Sequence, residues 1–131
     1  MRVYIAGPMG GYEHFNYPAF IEAEAALHRD QASWIERIDN ALSRVPDELL
    51  IFEVINPVKN CENPSDGFNW NELMRTAIRQ VCLCDAVVVL PGWSGSRGAT
   101  REVKVADYLD IPVFDFELGL RVSAEAFCVK K

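Results

Sequence analysis

DAVVVL, residues 85–90, is the clearest β-strand in the sequence. A continuous run of aliphatic and β-branched side chains is typical of a parallel strand that helices cover on both faces. The stretch PGWSGSRGATRE follows directly at residues 91–102 and is rich in glycine and serine. We expect a loop as far as Thr100 and then a helix, with Glu102 at or near its first turn.

Strand and helix patterns alternate on both sides of this segment. The other apolar runs typical of buried strands are residues 2–6, 49–55 and 113–116. Apolar side chains recur at helical spacing over residues 18–27, 33–45, 70–81 and 103–109. This alternation predicts an α/β fold: a doubly wound, Rossmann-like or flavodoxin-like parallel sheet of four to five strands with helices on both faces. The sequence allows two secondary structures for the tail, because Ser123 suits either the cap of a short helix or the start of a last strand.

The bulk composition predicts one cytoplasmic domain over residues 1–131. The chain is long enough for a single core, and half of its residues are hydrophobic. The net charge of −6 argues against a nucleic-acid polymer as partner, because a phosphate backbone needs a positive face, but it allows one mononucleotide. No export signal opens the chain and no apolar stretch approaches about 18 residues, so we expect no membrane partner.

The spacing of the cysteines does not predict a metal site. Cys61, Cys82, Cys84 and Cys128 form no pair with two residues between them, and both histidines lie far from them in sequence. Zinc ligands usually come in such closely spaced pairs. We therefore expect free thiols in a reducing cytosol, no metal and no organic cofactor.

Two loops of the predicted sheet carry residues suited to a ligand site. Doubly wound sheets bind ligands beyond the carboxyl ends of the strands, where the strand order reverses. The Gly7–Gly11 turn and residues 90–102 leave such ends. Glu102 lies where a helix dipole favours the ionised carboxylate, which suits a nucleophile that attacks the anomeric carbon of a sugar. A helix-start glutamate without a catalytic role is the alternative interpretation.

Several residues of the second loop suit the binding of a nucleotide. Ser94 and Ser96 supply hydroxyl donors, and glycines such as Gly98 allow a ligand close to the backbone. Arg97, Arg101 and Lys104 cluster around this loop, and we expect at least one of them, with Arg97 as the candidate, to pair with a phosphate, whereas the others suit solvated surface charge. Trp93 stands in the loop, where it suits either stacking on a base or packing in the core.

Motifs spread over most of the chain carry a family resemblance. They are VYIAGPM at 3–9, Asn16 with PAF at 18–20, Asn56-Pro57, CDAV at 84–87, and LPGW at 90–93 followed by Ser94, Ser96, Gly98-Ala99 and Glu102. With these motifs the chain resembles the nucleoside 2-deoxyribosyltransferase-like superfamily, which includes deoxynucleoside 5'-monophosphate N-hydrolases. Residues 31–50 resemble an insertion, longer than the usual link of that superfamily.

The resemblance implies an enzyme that cleaves or transfers at the N-glycosidic bond of a nucleoside or (deoxy)nucleoside 5'-monophosphate. It implies Glu102 as the nucleophile, Tyr4 as the residue that orients Glu102 or the sugar, and Ser96 as a ligand for a 5'-phosphate or 5'-hydroxyl. The turn residues that it implies for the sugar and phosphate pocket are Gly7, Pro8, Met9 and Gly10. It also implies a homodimer or larger homo-oligomer, formed through residues 70–81 or 31–50.

One position departs from the family pattern. The family usually carries an aspartate eight residues before the aspartate that begins the third strand, and this chain has Ala77 there. In the family that aspartate is thought to assist base departure or to position the sugar. The departure keeps a second interpretation open: a catalytically impaired protein that binds, senses or sequesters a nucleotide. A third interpretation is a phosphoribohydrolase of the lysine-decarboxylase-like type. These enzymes use a PGG-type loop, which PGWSG at 91–95 of this chain matches only in part.

Overall fold

The computed structural model describes residues 1–10, 13–47, 49–61 and 69–122, and its centre is a four-stranded parallel sheet. The strands are β1 (Arg2–Ala6), β2 (Glu53–Ile55), β3 (Ala86–Val89) and β4 (Val113–Asp115). Their order is β2-β1-β3-β4, the flavodoxin-like arrangement, and every ladder is parallel. The helices are α1 (Tyr17–Arg29), α2 (Gln31–Leu42), α3 (Trp70–Cys82) and α4 (Arg97–Tyr108). The predicted doubly wound α/β fold is confirmed.

The sheet separates two hydrophobic cores, because successive side chains of a strand point to opposite faces. On one face, Val3 and Ile5 of β1 pack with buried residues of α1 and α2. On the other face, Tyr4 of β1 packs with Val81 of α3 and Val103 of α4. Helices therefore cover both faces, and all of β3 is fully buried, as its unbroken apolar run predicts.

Local sequence signals mark the starts of two helices. Pro18 lies in the first turn of α1, a position that suits proline. Asn69 caps α3, because its side chain accepts a hydrogen bond from the backbone N–H of Glu72 at 3.2 Å. In contrast, α2 begins earlier than predicted. Asp30 is both the C-cap residue of α1 and the N-cap residue of α2, so α2 begins directly after it, at Gln31.

The strand β2 is shorter than the predicted strand over residues 49–55. Its ladder with β1 starts at the pair Arg2–Glu53, so the residues before it have no neighbouring strand to pair with. Leu49 and Ile51 are accordingly 90% and 81% exposed. The apolar run overestimates the strand, because pairing with β1 limits its length.

Asp85 has a structural role at the amino end of β3. It accepts a hydrogen bond from the backbone N–H of Arg2 at 2.8 Å and forms an ion pair with Arg44 at 2.9 Å. Burial alone would raise the pKa of Asp85, but these two donors hold it below its usual value. Because Asp85 lies at the amino end of β3, it is at the end of the sheet opposite the ligand loops.

Two predicted features involve residues beyond the described ranges. Gly11, at the end of the first turn, and Ser123, in the tail, both lie outside them. Within the described ranges, no helix combines the length and the apolar character needed to cross a membrane.

Candidate functional site

A cavity of about 390 Å³ opens at the carboxyl ends of β1 and β3. The loops that leave these two central strands form part of its wall, and the strand order reverses between them. The segment after β2, the first turns of α3 and the start of α4 complete the described wall. Doubly wound sheets bind ligands at this position. The cavity therefore lies where the sequence predicts a site.

The turn after β1 lies against the end of β3. Its residues in the cavity wall are Gly7, Pro8, Met9 and Gly10, the predicted pocket residues. A Cβ on Gly7 would stand 3.0 Å from the Cβ of Leu90, so a larger residue would push the turn away from β3. Asn16 holds the turn from the other side, because its Nδ2 donates a hydrogen bond to the Pro8 carbonyl at 2.9 Å.

The helix α4 begins at Arg97, earlier than the loop predicted as far as Thr100. Ser96 is the cause, since its Oγ accepts a hydrogen bond from the backbone N–H of Ala99 at 3.2 Å. Its carbonyl also accepts one from the Thr100 hydroxyl at 2.8 Å. Ser96, Arg97 and Gly98 line the cavity. Three predicted binding residues are thus at the cavity, together with the free backbone N–H groups of a helix start.

Glu102 and Tyr4 form a buried pair in the cavity wall. The Tyr4 hydroxyl donates a hydrogen bond to Oε2 of Glu102, although the two residues lie 98 positions apart in the chain. Tyr4 is fully buried and Glu102 is 6% exposed. Burial raises the pKa of Glu102 to about 8, and the hydrogen bond from Tyr4 opposes this rise only in part.

The predicted charge state of Glu102 is wrong. Glu102 lies in the second turn of α4, because the helix already begins at Arg97. Its side chain is buried against β1 and is therefore removed from the helix start where the dipole acts most strongly. The loss of hydration raises the pKa of Glu102 more than the hydrogen bond from Tyr4 lowers it, so the carboxyl is mostly protonated at neutral pH.

Trp93 and Ser94 do not belong to the described cavity wall. Gly92 has a φ of 85°, and the 3₁₀ turn Trp93–Gly95 follows it. Trp93 packs against the core between the sheet and the α3 and α4 helices, and Ser94 is exposed to solvent. The tight turn thus brings Gly92 and Gly95 to the cavity in their place.

Part of the apolar wall comes from α3, whose apolar stripe the sequence identifies without indicating a ligand site. The lining residues of this helix are Trp70, Leu73, Met74 and Ala77. Val81, further along the same stripe, packs in the core. Ala77, the position that departs from the resembled family, therefore places a methyl group in the wall. Among the described lining residues, Glu102 is the only one with a carboxyl group.

Asn60 is a lining residue that no sequence signal identifies. It lies in the 3₁₀ turn Pro57–Cys61. The buried Asn56 precedes this turn, and its side chain accepts a hydrogen bond from the backbone N–H of Val58 at 3.2 Å. Asn60 donates to Oε1 of Gln80 at 2.8 Å, and the Gln80 amide donates back to Oδ1 of Asn60 at 3.2 Å. This exchange leaves one donor and one acceptor site of the Asn60 amide for a ligand.

Comparison with protein families matches residues 48–115, about half of the chain, to the family described as Domain of unknown function (DUF4406). The chain belongs to this family. The matched segment begins before β2, ends with β4 and includes Ala77 and Glu102, whereas Tyr4 lies before it. Comparison with curated proteins and with solved structures found no match.

The described wall of the cavity offers acid–base and hydrogen-bonding groups. Arg97 is its only cation among the described residues, beside the carboxyl of Glu102 and the phenol of Tyr4. Within the described ranges, no three His, Cys, Asp or Glu side chains lie close enough to hold a metal ion. Cys82 is exposed, and burial raises the pKa of the Cys84 thiol to about 12.

Proposed function

We propose that the chain cleaves or transfers at the N-glycosidic bond of a nucleoside or nucleoside 5'-monophosphate through a covalent glycosyl intermediate on Glu102. The observation that carries the proposal is the buried contact between the Tyr4 hydroxyl and Glu102 in the cavity wall. The resemblance to nucleoside 2-deoxyribosyltransferase-like proteins implies these same two residues as the catalytic pair. The resemblance also supports the proposal of a homodimer or larger homo-oligomer.

The two sides of the cavity differ in a way that suits a nucleotide. The α3 side is apolar, with Leu73 and Met74, and the neighbouring Asn60 adds one amide. The side at the start of α4 carries Ser96 and Arg97. We place the base against α3 and the phosphate at α4, with the sugar at the carboxyl group. The volume of about 390 Å³ lies within the range of roughly 300–1,000 Å³ typical of ligand pockets.

The proposed reaction begins with loss of the Glu102 proton. With a pKa of about 8, roughly a tenth of the carboxyl is ionised at pH 7. A carboxylate oxygen attacks the anomeric carbon, and the bond to the base breaks with its electron pair going to the base, which takes a proton from water. Water or a second base then attacks the same carbon and releases the carboxylate. The Tyr4 hydroxyl holds the carboxyl in one orientation.

The direct test is the release of free base. We would incubate the protein with the deoxyribonucleosides, the ribonucleosides and their 5'-monophosphates and separate the products by chromatography. The proposal expects base from at least one of them and is wrong if none yields any. Tight binding with the ligand recovered unchanged would instead support a nucleotide-binding protein, the candidate that Ala77 in the wall favours.

Tyr4→Phe should move the pH dependence of base release upward. The kcat/KM of the natural protein should rise with pH and level off above about 8, as Glu102 ionises. In the natural protein the hydrogen bond from Tyr4 lowers the pKa of Glu102. Its loss in the variant should therefore raise that pKa, and the rise of kcat/KM should shift by about one unit to higher pH. Tyr108→Phe, at an exposed position of α4, is the matched control. Superimposable profiles for Tyr4→Phe and Tyr108→Phe would contradict the proposed role.

Ala77→Asp should accelerate base departure. Ala77 is 7% exposed, so a carboxyl at this position would lose hydration and stay protonated at neutral pH. A protonated carboxyl beside the leaving base is a general acid, and we expect kcat to rise at least about tenfold. Ala77→Asn is the control, because it has the same size without the acidic proton. Equal kcat values for the two variants would argue against the placement of the base along α3.

A further inference from the structure

Trp70, Arg97 and Arg101 form a cluster at the rim of the cavity, the arginine–tryptophan cluster. The guanidinium carbon of Arg97 lies 4.1 Å from the centroid of the Trp70 ring, and that of Arg101 lies 5.1 Å from it. The two arginines stand four residues apart on α4, which places them on one face of the helix. Trp70 and Arg97 also line the cavity, while both arginines are exposed to solvent.

The cluster concentrates positive charge that no described acid neutralises. The ion pairs of the described ranges join acids to Arg2, Arg29, Arg44 and Lys59. Neither Arg97 nor Arg101 has an acidic partner among the described residues. Like charges one helical turn apart repel each other, and contact with the electron-rich indole offsets that repulsion. The structure thus holds Arg97 in the cavity wall and Arg101 against the same indole, where a bound anion would neutralise both.

We propose that Arg97 and Arg101, positioned by Trp70, bind the phosphate of a nucleoside 5'-monophosphate and select it over the nucleoside. This inference rests on the proposed function. A phosphate monoester carries a charge of about −1.5 to −2 at pH 7, which two arginines match, and guanidinium groups bind its oxygens through paired hydrogen bonds. The Ser96 hydroxyl and the free N–H groups at the start of α4 lie on the same rim and add further donors.

Trp70 acts in this cluster as a positioning residue. Long arginine side chains lose rotational freedom when they bind a ligand, and this loss weakens binding. Contact with one rigid ring restricts both guanidinium groups before the phosphate arrives. The ring that holds them comes from α3, so the phosphate site joins two helices that are separate in the sequence.

The test is calorimetric titration of the full chain with 2-deoxyribose 5-phosphate, a probe without a base, and with 2-deoxyribose, which lacks the phosphate. We expect the sugar phosphate to bind more tightly than the sugar, and Arg97→Gln and Arg101→Gln each to weaken it at least about tenfold. Arg79→Gln makes the same charge change at an exposed position of α3 and should leave the affinity unchanged. Equal affinities in Arg79→Gln and the double variant of Arg97 and Arg101, or equal binding of the two probes, would overturn the inference.

Trp70→Leu tests the positioning role, because both charges remain in the variant. We expect its KM for a nucleoside monophosphate to rise several-fold, roughly as far as in a single arginine variant, and by more than its KM for the nucleoside. An unchanged KM for the monophosphate, or an equal rise for the nucleoside, would refute the role of Trp70.

The same measurements separate this inference from the proposed function. Base release from nucleosides and monophosphates at equal kcat/KM, without dependence on the two arginines, would leave the function standing and refute the inference. Arginine-dependent binding of 2-deoxyribose 5-phosphate without base release from any substrate would leave the inference standing and refute the function.

Discussion

Glu102→Gln should lower the rate of base release at least about 10³-fold, because the variant lacks the attacking carboxylate. Glutamine has nearly the shape of glutamate, and its carbonyl still accepts the hydrogen bond from Tyr4. The cavity wall should therefore keep its form and nucleotide affinity should be retained, so the loss should lie in kcat. Single-turnover measurements of base release, with affinity measured separately by calorimetry, distinguish the two effects.

Asp107→Asn is the matched control for this substitution. It makes the same acid-to-amide change on α4, at a position exposed to solvent and outside the described cavity wall. Its rate should equal that of the natural protein. Acid-quenched reactions should also show the mass of one sugar on the peptide that contains Glu102 in the natural protein and none in the variant. A Glu102→Gln protein with an unchanged rate would remove the proposed nucleophile.

Glu102→Gln should also stabilise the fold at alkaline pH. The pKa of Glu102 is about 8 in the folded protein and near 4.5 when hydrated, so the folded state holds a proton that the unfolded chain releases between these values. The stability associated with this proton is complete below about pH 4.5, falls as pH rises, and is lost above about pH 8. The fall is on the order of 5 kcal/mol, at about 1.4 kcal/mol for each unit of pKa difference.

Urea unfolding near pH 5 and near pH 9 measures this effect. Glutamine has no proton to lose, so the variant should resemble the natural protein at the lower pH and exceed its stability at the higher pH by a few kcal/mol. Asp107→Asn, the exposed control, should show no such pH-dependent difference. A stability difference that is the same at both pH values would mean that the buried carboxyl keeps an ordinary pKa. The expected gain also means that Glu102 lowers the stability of the natural protein at alkaline pH. Residues that lower stability in this way are common at functional sites.

The sequence is most informative where local pattern and structure coincide. The apolar run of β3 and the helical stripe of α3 appear in the structure close to their predicted bounds, because burial on both faces or on one stripe leaves a direct mark on composition. The prediction for β2 is less accurate, since a strand extends only as far as its neighbour β1 allows. The loop before Glu102 is also shorter than predicted, because one serine hydroxyl caps α4 four residues earlier than Thr100.

By itself, the sequence determined the α/β alternation, the two loops that meet at the cavity, and the position of Glu102 in the helix that follows one of them. These features depend on residue order and on periodicity, which a single chain displays directly. The tertiary structure decided that Glu102 is mostly protonated, that α3 supplies part of the apolar wall with Asn60 beside it, and that Arg97 and Arg101 share one indole. A pKa depends on how much water the fold removes, and contacts between distant segments depend on how helices pack across the sheet, so neither property follows from local sequence.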